Sequence, residues 1–217
     1  MNHALMFPAG LYGVTPGWRD ARRLEQAIRS AVAGGMTALQ LRAKDVSDSE
    51  RRTLASHLLA VCQSLKVPLI INDDWQLALD IGADGVHLGK DDADPALVRK
   101  QLAPSMLLGV SCYRDLERAR QMLDIGVDYI AFGAMFSSGT KPHAPSAPLS
   151  VLTEARKLVD GRSPRPAVVA IGGITVDNTA SVTAAGADSL AVVGGLFLAD
   201  DIEQTAREFV SSMPNRH

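Results

Sequence analysis

Four segments of this chain can be laid over one another: "AGGMTALQLRAK", "IGADGVHLGKDD", "IGVDYIAFGAMF" and "AGADSLAVVGGL". Each has glycine where a helix would stop, then a short run rich in Val, Ile or Leu, then a polar or glycine-rich turn. A helix-to-strand unit used four times confines the chain to folds in which the two kinds of element alternate.

Counting every short apolar run extends the pattern to eight strands, predicted at 11–15, 37–41, 68–71, 85–88, 107–110, 129–132, 167–171 and 189–193. Amphipathic or alanine-rich segments such as "DARRLEQAIRSAVAGG" and "DIEQTAREFVSSM" lie between and after them. Strands that are apolar at nearly every position are buried on both faces, which implies a parallel sheet covered by helices. Eight units in 217 residues suit a closed (β/α)8 TIM barrel, with a doubly wound open sheet as the structural alternative. We therefore expect an α/β chain with one barrel domain over 1–217, its core over about 11–210 and short tails at each end. The "DGRSPRP" stretch before the seventh strand reads as a longer loop.

The sequence carries 22 Lys and Arg against 24 Asp and Glu, a formal net charge of -2. That balance offers no general field for nucleic acid or an anionic membrane, so an anion must be held by a local cluster. Two cysteines, Cys62 and Cys112, cannot define a disulfide framework and suggest a reducing, cytoplasmic setting. No apolar run approaches the ~18 residues that a membrane helix needs, and the first residues do not read as an export signal.

A barrel places its chemistry at the C-terminal ends of its strands, and the unusual polar residues fall there. The second strand ends in Gln40, Arg42 and Lys44, the third in Asn72, Asp73 and Asp74, and the fourth runs into Lys90, Asp91 and Asp92. The fifth leads to Ser111, and the sixth to Ser138, Thr140 and Lys141. The seventh leads to the pair Gly172 and Gly173, and the eighth to Gly194 and Gly195. Arg42, Lys44 and Lys141 would converge on the mouth as a phosphate grip. Asp73 and Asp92, beyond adjacent strands, could hold one cation; few hard oxygen ligands suit Mg²⁺, which keeps waters and bridges to substrate phosphates. Asp74 and Asp91 read as helix N-caps. The paired glycines let backbone N–H groups approach a second phosphate. His57, within a helix, and His87, within a strand, read as structural, whereas His143 borders the loop after the sixth strand. Cys62 reads as a buried thiol, and Cys112, beside the site, has no histidine base near it in sequence.

Seven motifs in order, "LQLRAK", "IINDD", "GVHLGKDD", "GVSCY", "FSSGTK", "AIGGIT" and "GADSLAVVGG", together resemble the thiamine phosphate synthase family over about residues 11 to 197. The resemblance implies a (β/α)8 transferase that joins hydroxymethylpyrimidine diphosphate to a thiazole phosphate and releases pyrophosphate with Mg²⁺. It implies that Gln40, Leu41, Arg42, Ala43, Lys44, Asn72, Ser111 and Lys141 hold the pyrimidine diphosphate, and that Asp73 and Asp92 hold the metal. Ser138, Gly139, Thr140, Gly173, Val193 and Gly194 would hold the thiazole phosphate. Among these, Arg42, Lys44, Ser111 and Lys141 would act in the chemistry. Three positions depart from the family pattern: Lys90 stands where Gln is frequent, Ser138 where Thr is, and Gly194 where Ser is. A thiazole tautomerase, a non-catalytic phosphate-binding regulator and a phosphosugar isomerase remain alternatives, and a homodimer is left open.

Overall fold

The computed structural model describes residues 4–137 and 146–213. In chain order its elements are β1 Gly10–Val14, α1 Ala21–Ala33, β2 Met36–Leu41, α2 Asp48–Leu65, β3 Leu69–Asn72, α3 Trp75–Ile81, β4 Gly85–Leu88, α4 Pro95–Gln101 and β5 Leu107–Tyr113. They continue with α5 Leu116–Ile125, β6 Tyr129–Phe132, α6 Ser150–Val159, β7 Ala167–Ile171, α7 Val176–Ala184, β8 Ser189–Val192, α8 Gly194–Phe197 and α9 Ile202–Ser211. Every expected strand is present, and β1 to β8 pair in order, all parallel, into a closed barrel. The open doubly wound alternative is excluded.

Local signals explain the boundaries. Ser47 and Glu50 form a reciprocal capping box at the start of α2, which satisfies two backbone N–H groups that the first turn would orphan. Helices α3 and α5 end on Gly82 and Gly126 in the left-handed conformation, which a residue without Cβ adopts at little cost. Asp74 does cap α3, accepting from the Leu77 N–H. The expected cap role of Asp91 goes instead to Asp94, which accepts from the Ala96 N–H and precedes Pro95 at the first turn of α4. The pair Gly194–Gly195 opens the four-residue helix α8 where the sequence suggested a turn.

Side chains of successive strand residues face alternately outward to the helices and inward to the barrel axis. Leu11, Leu39, Leu41, Ile71, Cys112, Ile130 and Phe132 belong to the outer layer between sheet and helices. Tyr12, Val14, Ala38, Ile70, Tyr129, Ala131, Val169 and Ala191 fill the interior. Phe7 lies with this inner group, fully buried, with its ring 4.9 Å from Tyr12 and 4.4 Å from Tyr129. The core therefore begins before residue 11: the N-terminal segment, tied to Arg165 by a bridge at Leu5, brings an aromatic plug to the barrel.

Three of the four repeated segments carry an aspartate with a structural role at the strand start. In β4, β6 and β8 the residue before, or at, the strand start is Asp84, Asp128 or Asp188. Its carboxylate accepts from the N–H of the preceding strand: Leu69 at 2.8 Å, Leu108 at 2.6 Å and Val168 at 2.9 Å. Each Asp backbone N–H also donates to the same neighbouring strand, at Leu69, Leu108 and Val168. Three equivalent two-point stitches thus hold the N-terminal rim, opposite the chemistry.

Candidate active site

At the C-terminal rim, alternation aims Gln40, Asn72, His87 and Ser111 inward, and the register sets Asn72 beside His87 on β3 and β4. One residue further on, Asp73 has φ 66, a left-handed conformation that Asp and Asn tolerate best among side-chain-bearing residues. Its N–H donates to the His87 carbonyl, fixing the turn. The Asp73 carboxylate meets Lys44 Nζ at 3.0 Å.

Asp92 reaches the same point from the loop after β4, its Oδ2 accepting from the Gly89 N–H at 2.7 Å. Burial, and next the contact with Asp73, push the Asp92 carboxyl above its usual range, while the Gly89 N–H and Lys44 oppose the rise. Two carboxylates in contact repel unless a proton or cation lies between them. Among the described residues no group of three or more His, Cys, Asp or Glu could hold a metal; a cation at this pair would have two carboxylates as ligands and would take its remaining oxygens from water and substrate. That donor set fits Mg²⁺.

A cavity of about 240 Å³ opens beside the pair, lined by Ala43, Lys44, Arg51, Asn72, Asp73 and Asp74. Sequence reading missed Arg51: its Nε donates to the Ala43 carbonyl at 3.1 Å and its Nη1 approaches Asp74 at 3.4 Å, tying the loop after β2 to the end of β3. Arg118 was missed as well, and does similar work by donating to the Ser111 carbonyl at 2.9 Å and the Gly89 carbonyl at 3.4 Å. A basic residue in the first turns of a helix that follows a functional strand end was the available signal for both. Thr15 positions Arg42 by accepting from its N–H at 2.9 Å. Leu41 turns its side chain into the outer core and can offer a ligand only backbone atoms. Lys90 and Asp91 are exposed on the β4 loop.

On the other side of the mouth, the chain after β6 runs along the end of β7, with Met135 and Phe136 N–H donating to the Ile171 and Gly172 carbonyls. Gly173 has φ 67, and a Cβ there would lie 2.7 Å from both the Phe136 and Ser137 carbonyl oxygens, so only glycine admits this approach. Val193 is the N-cap of α8, and helix geometry leaves the Gly194 and Gly195 N–H groups without intrahelical acceptors. Ser138, Gly139, Thr140, Lys141 and His143 lie outside the described residues.

Inside the barrel, below the mouth, the polar side chains are linked. Gln40 Nε2 donates to Tyr12 Oη at 2.8 Å, Tyr12 Oη meets Tyr129 Oη at 3.0 Å, Tyr129 Oη meets His87 Nδ1 at 3.0 Å, and His87 Nε2 meets Ser111 Oγ at 2.9 Å. Burial pushes both phenols well above their usual value and His87 down to about 4. The thiols of Cys62 and Cys112 are pushed up to about 12, again chiefly by burial, which disfavours the nucleophilic thiolate.

The His87 value predicts how stability responds to acid. Above its usual 6.5 the ring is neutral in both folded and unfolded chains. As pH falls below that, the unfolded chain takes up a proton that the fold refuses, so stability drops down to about pH 4 and the drop then levels off. The total is roughly 3 kcal/mol. Urea unfolding at stepped pH, compared with His87→Gln, should show this acid arm in wild type and not in the variant.

A model of the family described as thiamine monophosphate synthase matches residues 11–196. The chain belongs to that family. It is 58% identical over 204 residues to the thiamine-phosphate synthase of Bordetella bronchiseptica, covering 94% of each chain. It is 48% identical over 208 residues to that of Methylobacillus flagellatus, covering 96% of this chain and 97% of the relative. Among solved structures, thiamine phosphate pyrophosphorylase from Pyrococcus furiosus superposes with a TM-score of 0.78 at 30% identity, over 94% of this chain and 95% of that one. Membership makes the protein an enzyme, a transferase of thiamine biosynthesis with small-molecule substrates. Among the described residues no helix is long and apolar enough to cross a membrane.

Proposed function

We propose that the enzyme condenses hydroxymethylpyrimidine diphosphate with thiazole phosphate, or its carboxy form, to give thiamine phosphate and pyrophosphate in a Mg²⁺-dependent reaction. The observation that carries this reading is the gathering of Lys44, Asp73 and Asp92 beside the inward-facing Gln40, Asn72 and Ser111. A cation-and-carboxylate cluster next to neutral hydrogen-bonding groups suits a substrate that carries both a diphosphate and a heterocycle.

In this reading Asp73 and Asp92 hold Mg²⁺, which when bound neutralises charge on the leaving pyrophosphate. Arg42, Lys44 and Lys141 bind the diphosphate oxygens and stabilise the same developing charge. The backbone of residues 40–44 together with Gln40, Asn72 and Ser111 orient the pyrimidine. The bond from the methylene carbon to the diphosphate oxygen breaks with its electron pair leaving on oxygen. The electron-rich aminopyrimidine stabilises the resulting methylene cation, and the thiazole nitrogen lone pair closes the new bond. Ser138, Gly139, Thr140, Gly173, Val193 and Gly194 hold the thiazole phosphate so that this nitrogen is ready when the cation forms. No protein nucleophile enters, which agrees with the outward, buried placement of Cys112. Two free, buried thiols also suit a reducing cytoplasm.

Gly194 offers a test of the thiazole side. A Cβ there would meet nothing closer than 3.4 Å, at the end of the Leu198 side chain, so serine fits without displacing backbone. Gly194→Ser should lower KM for thiazole phosphate about threefold to tenfold, the effect of one added hydrogen bond to a charged group, with kcat unchanged in steady-state assays.

The reading as a whole is tested by mixing the protein with both substrates and Mg²⁺ and following thiamine phosphate and pyrophosphate. We expect product that disappears with EDTA and falls at least 100-fold in Lys141→Ala. Absence of product from well-folded wild type would overturn it in favour of a thiazole tautomerase or a binding role.

A further inference from the structure

The five linked side chains Gln40, Tyr12, Tyr129, His87 and Ser111 come from strands β2, β1, β6, β4 and β5, and run from one wall of the barrel to another. Four of the five are at least nine-tenths buried: Gln40 at 4% exposure, Tyr12 at 1%, Tyr129 at 0% and His87 at 8%. No buried side-chain nitrogen or oxygen among the described residues lacks a partner. An interior otherwise made of Ala, Val, Ile and Phe7 could be filled by apolar side chains, so a continuous polar chain ending at a substrate-facing serine calls for a reason.

Donor and acceptor counting supplies one. Each phenol has one proton to give, and a neutral imidazole has one N–H and one bare nitrogen. Gln40 Nε2 is the donor to Tyr12, which leaves the Tyr12 proton for Tyr129 and the Tyr129 proton for His87 Nδ1. Nδ1 is then the bare nitrogen, so the imidazole proton sits on Nε2 and is given to Ser111 Oγ. Ser111, having accepted, turns its own proton outward to the mouth.

We propose that Tyr12 and Tyr129 are positioning residues: through the Nε2–H tautomer of His87 they fix Ser111 as a hydrogen-bond donor toward an acceptor atom of the diphosphate-bearing substrate. The proposal deepens the reading of Ser111 under Proposed function and rests on it for the identity of the substrate. The chain also explains Gly109, which stands beside Tyr129 and His87 in the register. A Cβ at Gly109 would fall 1.8 Å from Tyr129 Cζ, so the missing side chain there is the space the ring occupies.

The test reads the tautomer directly in the free protein. In ¹⁵N-histidine-labelled enzyme, long-range ¹H–¹⁵N correlation gives the protonation of each ring nitrogen, with His87 assigned by difference against His87→Gln. We expect His87 to be neutral with its proton on Nε2. Tyr129→Phe keeps the ring and removes the link, and should give a mixture of tautomers. It should also raise KM for hydroxymethylpyrimidine diphosphate about tenfold, with a smaller change in kcat and none in KM for thiazole phosphate. Tyr12→Phe, which leaves the Tyr129 proton free to reach Nδ1, should have the smaller effect of the two. A proton on Nδ1 in wild type, or an unchanged tautomer and KM in Tyr129→Phe, would overturn the proposal. The wild-type spectrum decides the direction of the chain even if a variant fails to fold. Failure of the synthase assay would refute the substrate reading and leave the tautomer measurement standing, so the two failures are distinguishable.

Discussion

Asp73→Asn should fold normally yet lose 100-fold or more in kcat/KM, and Asp92→Asn should do the same. Asparagine is the substitution that isolates charge, because it is the other residue that accepts the φ of 66 held by Asp73, and its amide keeps the shape of the carboxylate. Under the proposed function, what it removes is the ability to hold a hard divalent cation, and with it much of the stabilisation of the leaving diphosphate. A 100-fold loss corresponds to about 2.7 kcal/mol of transition-state stabilisation, within the range for losing one electrostatic contributor in a preorganised site. Metal-free stability should move the other way. The Asp73–Asp92 contact is repulsive without a cation, so Asp92→Asn should slightly raise the melting temperature of the EDTA-treated protein, whereas Asp73→Asn also gives up the ion pair with Lys44 and should gain less. Asp92 is exposed and Asp73 only partly buried, so solvent screening keeps that gain small. Thermal melts with and without Mg²⁺ check it: Mg²⁺ should stabilise wild type and have little effect on either variant. A variant that loses activity and stability together, or one still stabilised by Mg²⁺, would contradict the paired-carboxylate site.

The second large effect lies at the opposite end of the barrel. Asp188→Asn should destabilise the fold by about 3–5 kcal/mol, the usual result of stripping one partner from a buried ion pair. Burial by itself would raise the Asp188 carboxyl, but two hydrogen bonds from Arg165 at 2.9 and 2.8 Å, the Val168 N–H and the Arg156 guanidinium hold it below its usual value. Without that charge Arg165, only 8% exposed, is left as an uncompensated cation. Urea unfolding should show a lower midpoint with an unchanged slope. Replacing both partners with apolar residues, as in Asp188→Leu with Arg165→Met, should recover the part of the loss that belongs to the orphaned Arg165 charge, but not the part owed to the Val168 N–H and Arg156, which also lose their acceptor. The folded fraction of Asp188→Asn should retain its kcat, because this residue belongs to the rim that carries no chemistry.

The contrast between the Asp73–Asp92 pair and Asp188 marks what could be read from the chain alone. Asp73 and Asp92 were legible because strand ends in a parallel barrel share one rim and consecutive strands are neighbours, so two acidic residues just past β3 and β4 had to approach each other. Asp188 stands in the same repeat as Asp84 and Asp128, but the repeat shows only glycines and apolar runs until the preceding strand is laid beside it, and the role of its acid appears then. His87 reads as structural from its place in an apolar run. Its link to Ser111 depends on which residues of β4, β5 and β6 share a level, and that register is set by the stagger of barrel closure rather than by any local pattern. The place of Phe7 is illegible for a similar reason: nothing in "MNHALMFPAG" tells that its ring meets Tyr12 and Tyr129.

The stitched rim also bears on the order in which the molecule can be put together. Each carboxylate stitch joins a strand to the one immediately before it, across sequence separations of 15, 20 and 20 residues, so β3–β4, β5–β6 and β7–β8 can each be fastened, with the helix between them, as a local parallel βαβ module while the remainder is unformed. The seam between β8 and β1 has no such neighbour: it is closed by strand pairing and by the Ser189 hydroxyl donating to the Gly10 carbonyl, 179 residues away. Loop entropy makes that the slowest contact to find. Pulsed hydrogen exchange during refolding should therefore see amides of the three modules protected before those of β1, with the last ring of hydrogen bonds converting a curved ribbon into a barrel.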